Sequence, residues 1–247
     1  MSFSSVLNGV TDHINGIYTK FNSAIILAGG SSSRFCSDTT KQLTFISGMP
    51  VIARTISVFD KCKFINEIIV VAKKDEMTLY PDLKKKYGWK KVVKVVCGGG
   101  DRQQSVLNGF KAISDKSEFV YIHDGARCLI TDKMIAKVGH EACMHGAAIA
   151  AVPATDTVKI REKKSLSTPD RSKVWQAQTP QVFMTELYRA AAYSAKQNGF
   201  IATDDASLVE QLGFDIVPVD CGKDNIKITS PIDISIAEAI LKFREEN

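Results

Sequence analysis

Unbroken apolar, β-branched runs recur along this chain with helical spacing between them, and this alternation restricts the fold more than any other feature. The runs are Ala24–Leu27, Ile68–Val71, Val92–Val93 through to Val96, Val120–Ile122 and Ala148–Val152. A continuous apolar run suits a strand buried on both faces of a parallel sheet, whereas a half-exposed strand alternates. Helical patterns occupy roughly 50–60, 74–87, 102–113 and 131–145. The order strand, helix, strand predicts a doubly wound α/β sheet with right-handed crossovers. The pattern breaks at 154–178, which is polar and carries Arg161-Glu162-Lys163-Lys164-Ser165 and Thr168-Pro169-Asp170. We read a protruding β-arm or long loop there, closing at Gln178-Thr179-Pro180-Gln181, and a long irregular insert in a compact domain is usually functional. Helices over about 185–197 and 204–211, a strand near 215–219 and a last helix from Pro231 complete the chain, with Asp204 as an N-cap.

Composition narrows the class. Hydrophobic residues make up 45% and charged residues 24% of 247, an ordinary globular balance. A net charge of +5, with no run of five like charges, supplies no stripe for nucleic acid and suits a small anionic ligand equally well. Lys84-Lys85-Lys86 and Lys90-Lys91 read as a solvated helix end and loop. The cysteines, at 36, 62, 97, 128, 143 and 221, form no Cys-x-x-Cys pair, which suits a reducing compartment and a cytoplasmic location. No stretch approaches the length of a membrane span. Residues 1–22 read as an N-terminal extension on a single domain of 23–247. The extension lacks the pattern of a secretory signal, and Val6, Val10, Ile14, Ile17 and Phe21 have the spacing of an amphipathic helix.

The chemistry gathers at strand ends. The first strand runs into Leu27-Ala28-Gly29-Gly30-Ser31-Ser32-Ser33-Arg34, and Lys41-Gln42 follows. Small residues let backbone N–H groups approach an anion, and Arg34 and Lys41 add charge suited to a triphosphate. A plain tight turn explains Gly-Gly alone equally well. No Gly-Lys-Ser/Thr and no Gly-x-Gly-x-x-Gly follows, which argues against a P-loop ATPase and a dinucleotide enzyme. Gly98-Gly99-Gly100-Asp101-Arg102-Gln103-Gln104-Ser105-Val106 opens a helix after another strand, where a capped glycine turn is the plainer reading. His123-Asp124-Gly125-Ala126-Arg127 ends the fourth run. A carboxylate there can hold Mg²⁺ or a ribose hydroxyl, and Arg127 can bind phosphate or simply pair with Asp124. His123 reads as a packed residue, not a general base. In Asn225-Ile226-Lys227-Ile228-Thr229, a lysine between apolar neighbours on a short strand points to the opposite face, toward the cleft or toward solvent at a sheet edge.

Together these segments resemble the 2-C-methyl-D-erythritol 4-phosphate cytidylyltransferases of the non-mevalonate isoprenoid pathway. The likeness runs from about Ser23 to Leu241 through the stretches above, Asp156-Thr157-Val158-Lys159, Arg171 before Trp175, Gln178–Gln181 and Thr203-Asp204-Asp205-Ala206-Ser207. It implies a Rossmann-like nucleotidyltransferase fold, a mostly parallel sheet with a β-arm that interlocks two subunits of a homodimer. It implies that CTP meets Ala28, Gly29, Gly30, Gly99, Arg102, Ser105, Asp124 and Gly125, and that Asp124 also serves Mg²⁺. Arg34 and Lys41 would stabilise the transition state. Arg127, Thr179, Thr203 and Lys227 would form the sugar-alcohol phosphate pocket, with Thr157 and Arg171 reaching in from the partner's arm. The chain departs from the family where Ser32 replaces a usual glycine, Cys128 a usual proline, and Gly125 a frequent alanine. Two other readings stay open: a ribitol-5-phosphate cytidylyltransferase of teichoic acid synthesis, and a non-catalytic nucleotide-binding subunit.

Overall fold

A computed structural model describes residues 19–29 and 42–246. The five apolar runs become β1 (Asn22–Leu27), β4 (Glu67–Ala72), β5 (Val92–Cys97), β6 (Phe119–Asp124) and β7 (Ala147–Pro153). They share a seven-stranded sheet with β10 (Trp175–Met184) and β11 (Val217–Asp220), in the order β11-β7-β10-β6-β1-β4-β5. The pairings β1–β4, β1–β6, β4–β5 and β7–β11 are parallel, and β10 runs antiparallel between β6 and β7. A short hairpin of β2 (Phe45–Ile46) and β3 (Met49–Pro50) precedes the first crossover helix.

Because successive strand residues face opposite sides, each strand feeds two cores. Ala24, Ile26, Val70, Tyr121 and Ala150 pack against α1 (Val51–Lys61), α2 (Tyr80–Tyr87) and α4 (Asp132–His145). Ile25, Val71, Val120 and Ile122 pack on the other side against α3 (Arg102–Phe110), α5 (Thr185–Asn198) and α6 (Asp205–Glu210). A third cluster, built from Ile46, Cys128, Leu129 and Ile228, seats α7 (Ile232–Glu246) through Ala237. The capping residues sit where the sequence puts them. Asp101, Thr131 and Asp204 each accept a hydrogen bond from the backbone N–H three residues on, which satisfies an orphan donor at the start of α3, α4 and α6.

Four expectations change. The helix read over 74–87 is a 3₁₀ turn at Met77–Leu79 followed by α2, with Pro81 in its first turn. The arm closes earlier than Gln178: its hairpin is β8 (Ile160–Glu162) with β9 (Ser165–Ser167), and Trp175 already belongs to β10. Strand β10 itself was not legible. Its glutamines and Pro180 break the apolar run, and its register with β7 shifts between Ala177 and Gln181, where Pro180 has no N–H for the ladder. Residues 225–229 form an irregular segment outside the sheet, not a strand, tied down by the Ile228 N–H donating to Ala126 O at 2.8 Å. Cys62, Cys97, Cys128, Cys143 and Cys221 are free thiols. The extension's helical pattern over 6–17, together with Gly30, Ser32, Arg34, Cys36 and Lys41, lies outside the described residues.

Candidate active site

Register brings the strand ends together. Leu27 pairs with Val71 and with Asp124, and Ala72 pairs with Cys97, so the turns after β1, β4, β5 and β6 share one rim. This is the edge at which open α/β sheets bind ligands. The ladder runs one residue past each strand: Ala28 N–H donates to Val71 O (2.7 Å), Gly98 N–H to Ala72 O (2.9 Å) and Gly125 N–H to Leu27 O (2.9 Å). The Gly99 N–H donates to Ser105 Oγ at 2.9 Å, and that hydroxyl donates to Asp101 O at 2.7 Å. These bonds occupy the N–H groups of Ala28, Gly98, Gly99 and Gly125. Their N–H groups are already spent within the fold, and what these positions offer a ligand is closely approachable backbone.

Asp124 stands at the centre of the rim, 9% exposed. Lys227 Nζ lies 2.8 Å from its Oδ2, Arg127 Nε 3.7 Å from the same oxygen, and Arg102 Nε 3.9 Å from Oδ1. Burial alone would raise the pKa of this carboxyl, but Lys227, Arg102 and Arg127 outweigh it and hold it at about 2. Arg127 is anchored by Nη1 donating to Asn225 O at 2.8 Å, while its Nε is buried without a hydrogen-bond partner among the described residues. Arg102 Nη2 reaches Asp205 Oδ2 at 2.7 Å, and the Tyr188 hydroxyl donates to Asp205 Oδ1 at 2.8 Å. Three cations against two carboxylates leave a net positive, half-desolvated pocket, which suits a multiply charged anion.

Supporting residues fix this cluster. Thr179 Oγ1 accepts the Asp124 N–H at 3.0 Å and lies 3.0 Å from His123 Nδ1. His123 is fully buried, and burial drives its pKa down to about 3, so it stays neutral and packs against Phe59. The reading of His123 as a packed residue holds.

Gly125 is more constrained than the family comparison implies. A Cβ there would lie 2.6 Å from Ile52 Cδ1 and 2.9 Å from the Leu27 carbonyl oxygen. The second contact is to backbone and cannot swing away. Gly125→Ala is therefore expected to destabilise the fold by about 1–3 kcal/mol, measured by denaturant unfolding. Unchanged stability would mean that α1 yields freely at Ile52.

With this geometry in place, comparisons with known proteins decide the family. The family model for 2-C-methyl-D-erythritol 4-phosphate cytidylyltransferase matches residues 23–243. The chain belongs to this family. A member from Syntrophus aciditrophicus is 44% identical over 227 residues, covering 90% of this chain and 96% of the relative. One from Caldanaerobacter subterraneus is 41% identical, covering 89% and 98%. The crystal structure of 4-diphosphocytidyl-2C-methyl-D-erythritol synthase from Anaerococcus prevotii superposes with a TM-score of 0.81 at 32% identity, covering 94% of this chain and 99% of that one.

Of the residues singled out in the sequence for this family, Arg102, Asp124, Arg127, Thr179 and Lys227 meet in one cluster, and Gly99 and Ser105 close the neighbouring loop. Gly29 lies at the same rim, with the backbone of Ala72 and Lys73 3.6 Å from where its Cβ would be. Thr203 is exposed, one residue before the cap of α6. Thr157 and Arg171 are exposed on the arm, where Arg171 Nη1 donates to Thr155 O at 2.9 Å. No described hydrogen bond or ion pair joins either to the Asp124 cluster within the chain. Sequence reasoning gave no role to Asp205, Gln181 or Asn225. Gln181 Oε1 accepts the N–H groups of Asp205 and Ala206, and Asn225 Nδ2 donates to Gln178 Oε1 and Thr179 O. Their signal was present, since each lies inside a motif whose neighbouring residues drew the attention.

Proposed function

We infer that this protein transfers the cytidylyl group of CTP to 2-C-methyl-D-erythritol 4-phosphate and releases pyrophosphate. The observation that carries this reading is the cationic cluster of Lys227, Arg102 and Arg127 around Asp124, at the ligand edge of a chain of this family. Such a transfer needs positioning and charge neutralisation and no covalent nucleophile. An oxygen of the sugar-alcohol phosphate attacks the α-phosphorus of CTP. The new P–O bond forms as the bond to the bridging α,β-oxygen breaks, and pyrophosphate carries away that electron pair. Lys227 and Arg127 hold the attacking phosphate, and Arg102 faces the nucleotide. Arg34 and Lys41 would meet charge developing on the α-phosphate and the leaving group.

Mg²⁺ is part of the same proposal. Among the described residues no three His, Cys, Asp or Glu side chains gather, and Asp124 is a single carboxylate among cations. That donor set does not retain a cation by itself. Asp124 would be the protein group that holds Mg²⁺ accompanying the triphosphate. When bound, Mg²⁺ neutralises phosphate charge.

The arm supports a homodimer. Ile160 is 47% and Leu166 66% exposed on opposite faces of its hairpin, which suits an arm embraced on both sides by a second subunit. Thr157 and Arg171 would then complete the partner's sugar-phosphate pocket. No helix of the described residues is long and apolar enough to cross a membrane. Two phosphorylated substrates and free cysteines suit the cytoplasm.

The test offers CTP and Mg²⁺ with 2-C-methyl-D-erythritol 4-phosphate or with ribitol 5-phosphate and measures pyrophosphate. Release with the first alone is expected. Preference for ribitol 5-phosphate would overturn the substrate, and CTP binding without release for either would favour a non-catalytic subunit. Arg171→Ala is expected to raise the KM for the methylerythritol phosphate about tenfold and leave that for CTP unchanged. A change in the CTP value alone would remove Arg171 from the sugar pocket.

A further inference from the structure

The start of α3 does two jobs. Its first residue, Arg102, pairs with Asp205 at the far end of the 199–205 loop. Its second, Gln103, grips the middle of the same loop through both ends of its amide. Nε2 donates to Phe200 O at 3.2 Å, and Oε1 accepts the Ala202 N–H at 3.0 Å. Two adjacent side chains on the helix that follows the Gly98–Gly100 turn thus hold a loop about a hundred residues away in sequence.

Elsewhere the loop is held by one backbone bond and two partly buried side chains. Gly199 takes a left-handed φ of 63° to leave α5, and Phe200 N–H donates to Ala195 O at 2.9 Å. Phe200 and Ala202 rest on the edge of a core cluster, but Ile201 between them is 81% exposed. An open pocket of about 420 Å³ borders the loop, lined by Ala191, Ser194, Asn198 and Ile201 among others. The Gln103 amide is what keeps Phe200 O and Ala202 N–H turned toward α3, and Thr203 and the cap Asp204 follow directly from Ala202. Asp204 Oδ2 in turn accepts Gln181 Nε2 at 2.7 Å, on the strand beside β6.

We propose that Gln103 is a positioning residue for the sugar-alcohol phosphate: it touches neither substrate, but it fixes the 200–203 loop against the nucleotide-side helix and so sets the wall on which the second substrate is presented to CTP. This rests on the reading that Thr203 borders that pocket. The grip spans two neutral hydrogen bonds, partly exposed, so losing both should change the affected constant on the order of tenfold.

The experiment compares wild-type protein with Gln103→Ala and Gln103→Glu, using steady-state kinetics and calorimetric CTP binding. Gln103→Ala should raise the KM for 2-C-methyl-D-erythritol 4-phosphate on the order of tenfold while the Kd for CTP stays within about twofold. Gln103→Glu keeps the acceptor for Ala202 N–H and loses the donor to Phe200 O, so it should fall between the two. Amide exchange at Ala202 should quicken in Gln103→Ala and less in Gln103→Glu. An unchanged KM for the sugar phosphate in Gln103→Ala, or an equal weakening of CTP, would overturn the proposal. If the wild-type protein itself released no pyrophosphate with this substrate, the substrate assignment would fail. The exchange measurement would then still show whether Gln103 governs the loop.

Discussion

Lys227→Ala is expected to lower kcat/KM on the order of 10²-fold or more while leaving the fold almost as stable as before. The two halves of that expectation come from different features of one side chain. Lys227 is 39% exposed, and although its partner Asp124 is buried, Arg102 and Arg127 remain as counter-charges, so losing the pair should cost no more than about 1 kcal/mol. Its segment does not depend on it. Ile228 is hydrogen-bonded to Ala126, Asn225 is bonded to Gln178 and Thr179, and Thr229 and Ser230 are capped by Asp233. Alanine at 227 therefore leaves the backbone in place and removes only a charge aimed at the rim. Arg102 and Arg127 remain beside Asp124, so the carboxylate stays ionised, and the loss falls on the attacking phosphate. The measurement is steady-state turnover alongside thermal unfolding. A variant that loses stability and activity in proportion would make Lys227 a structural residue. The sign of the acid limb also follows. With its folded pKa lowered to about 2, the stability Asp124 contributes is complete above its unfolded value, 3.8, and is lost as the pH falls through about 2. Protonation of Asp124 therefore sets no limit on turnover near neutral pH.

Lys227 also shows how much could be read from the sequence. The alternation Ile226-Lys227-Ile228 predicts that the lysine opposes its neighbours, and it does, with Ile228 buried and Lys227 on Asp124. It does not reveal that the segment is an unpaired tether and not a strand, because alternation of side chains does not require a neighbouring strand to pair with. The buried parallel strands were legible for a related reason: residues enclosed on both faces must all be apolar, and few settings besides a doubly covered sheet call for an unbroken run. Strand β10 lies just as deep in the sheet, yet Gln178, Thr179 and Gln181 are polar because they serve the site. Thr179 braces Asp124 and Gln181 holds the start of α6. Function overrode the pattern there, and the sequence looked like a loop. At the site, the motifs marked the charged groups that gather around Asp124. They did not mark the buried partners that hold those groups, since Asp205 reads as one more helix-start acid until the fold sets Arg102 against it.

Asp205→Ala is expected to destabilise the protein by about 1–3 kcal/mol, because it leaves the buried Tyr188 hydroxyl without its acceptor and Arg102 with only its longer contact to Asp124. Asp205 is 1% exposed and is the meeting point of three elements: Arg102 from α3, Tyr188 from α5, and Gln181 from β10 bonded to its backbone N–H. Alanine removes the acceptor for the Tyr188 hydroxyl as well, on a fully buried side chain whose ring packs against Phe110 and Phe183. Burial raises the pKa of Asp205, a penalty that Arg102 and the hydrogen bonds offset only in part. A carboxyl whose folded pKa is raised favours the fold when protonated, so this group's contribution is greatest below its unfolded value and declines as the pH rises through the folded one. Asp205→Asn separates the two roles. Asparagine keeps the shape and the acceptor for Tyr188 and removes the charge, so it should cost less stability than alanine. It should still lower kcat/KM, because Arg102 would no longer be held beside Asp124. Denaturant unfolding and turnover of both variants check this. If Asp205→Asn were as unstable as Asp205→Ala, the ion pair and not the hydroxyl acceptor would dominate. If it kept full turnover, Arg102 would not need Asp205 to face the nucleotide.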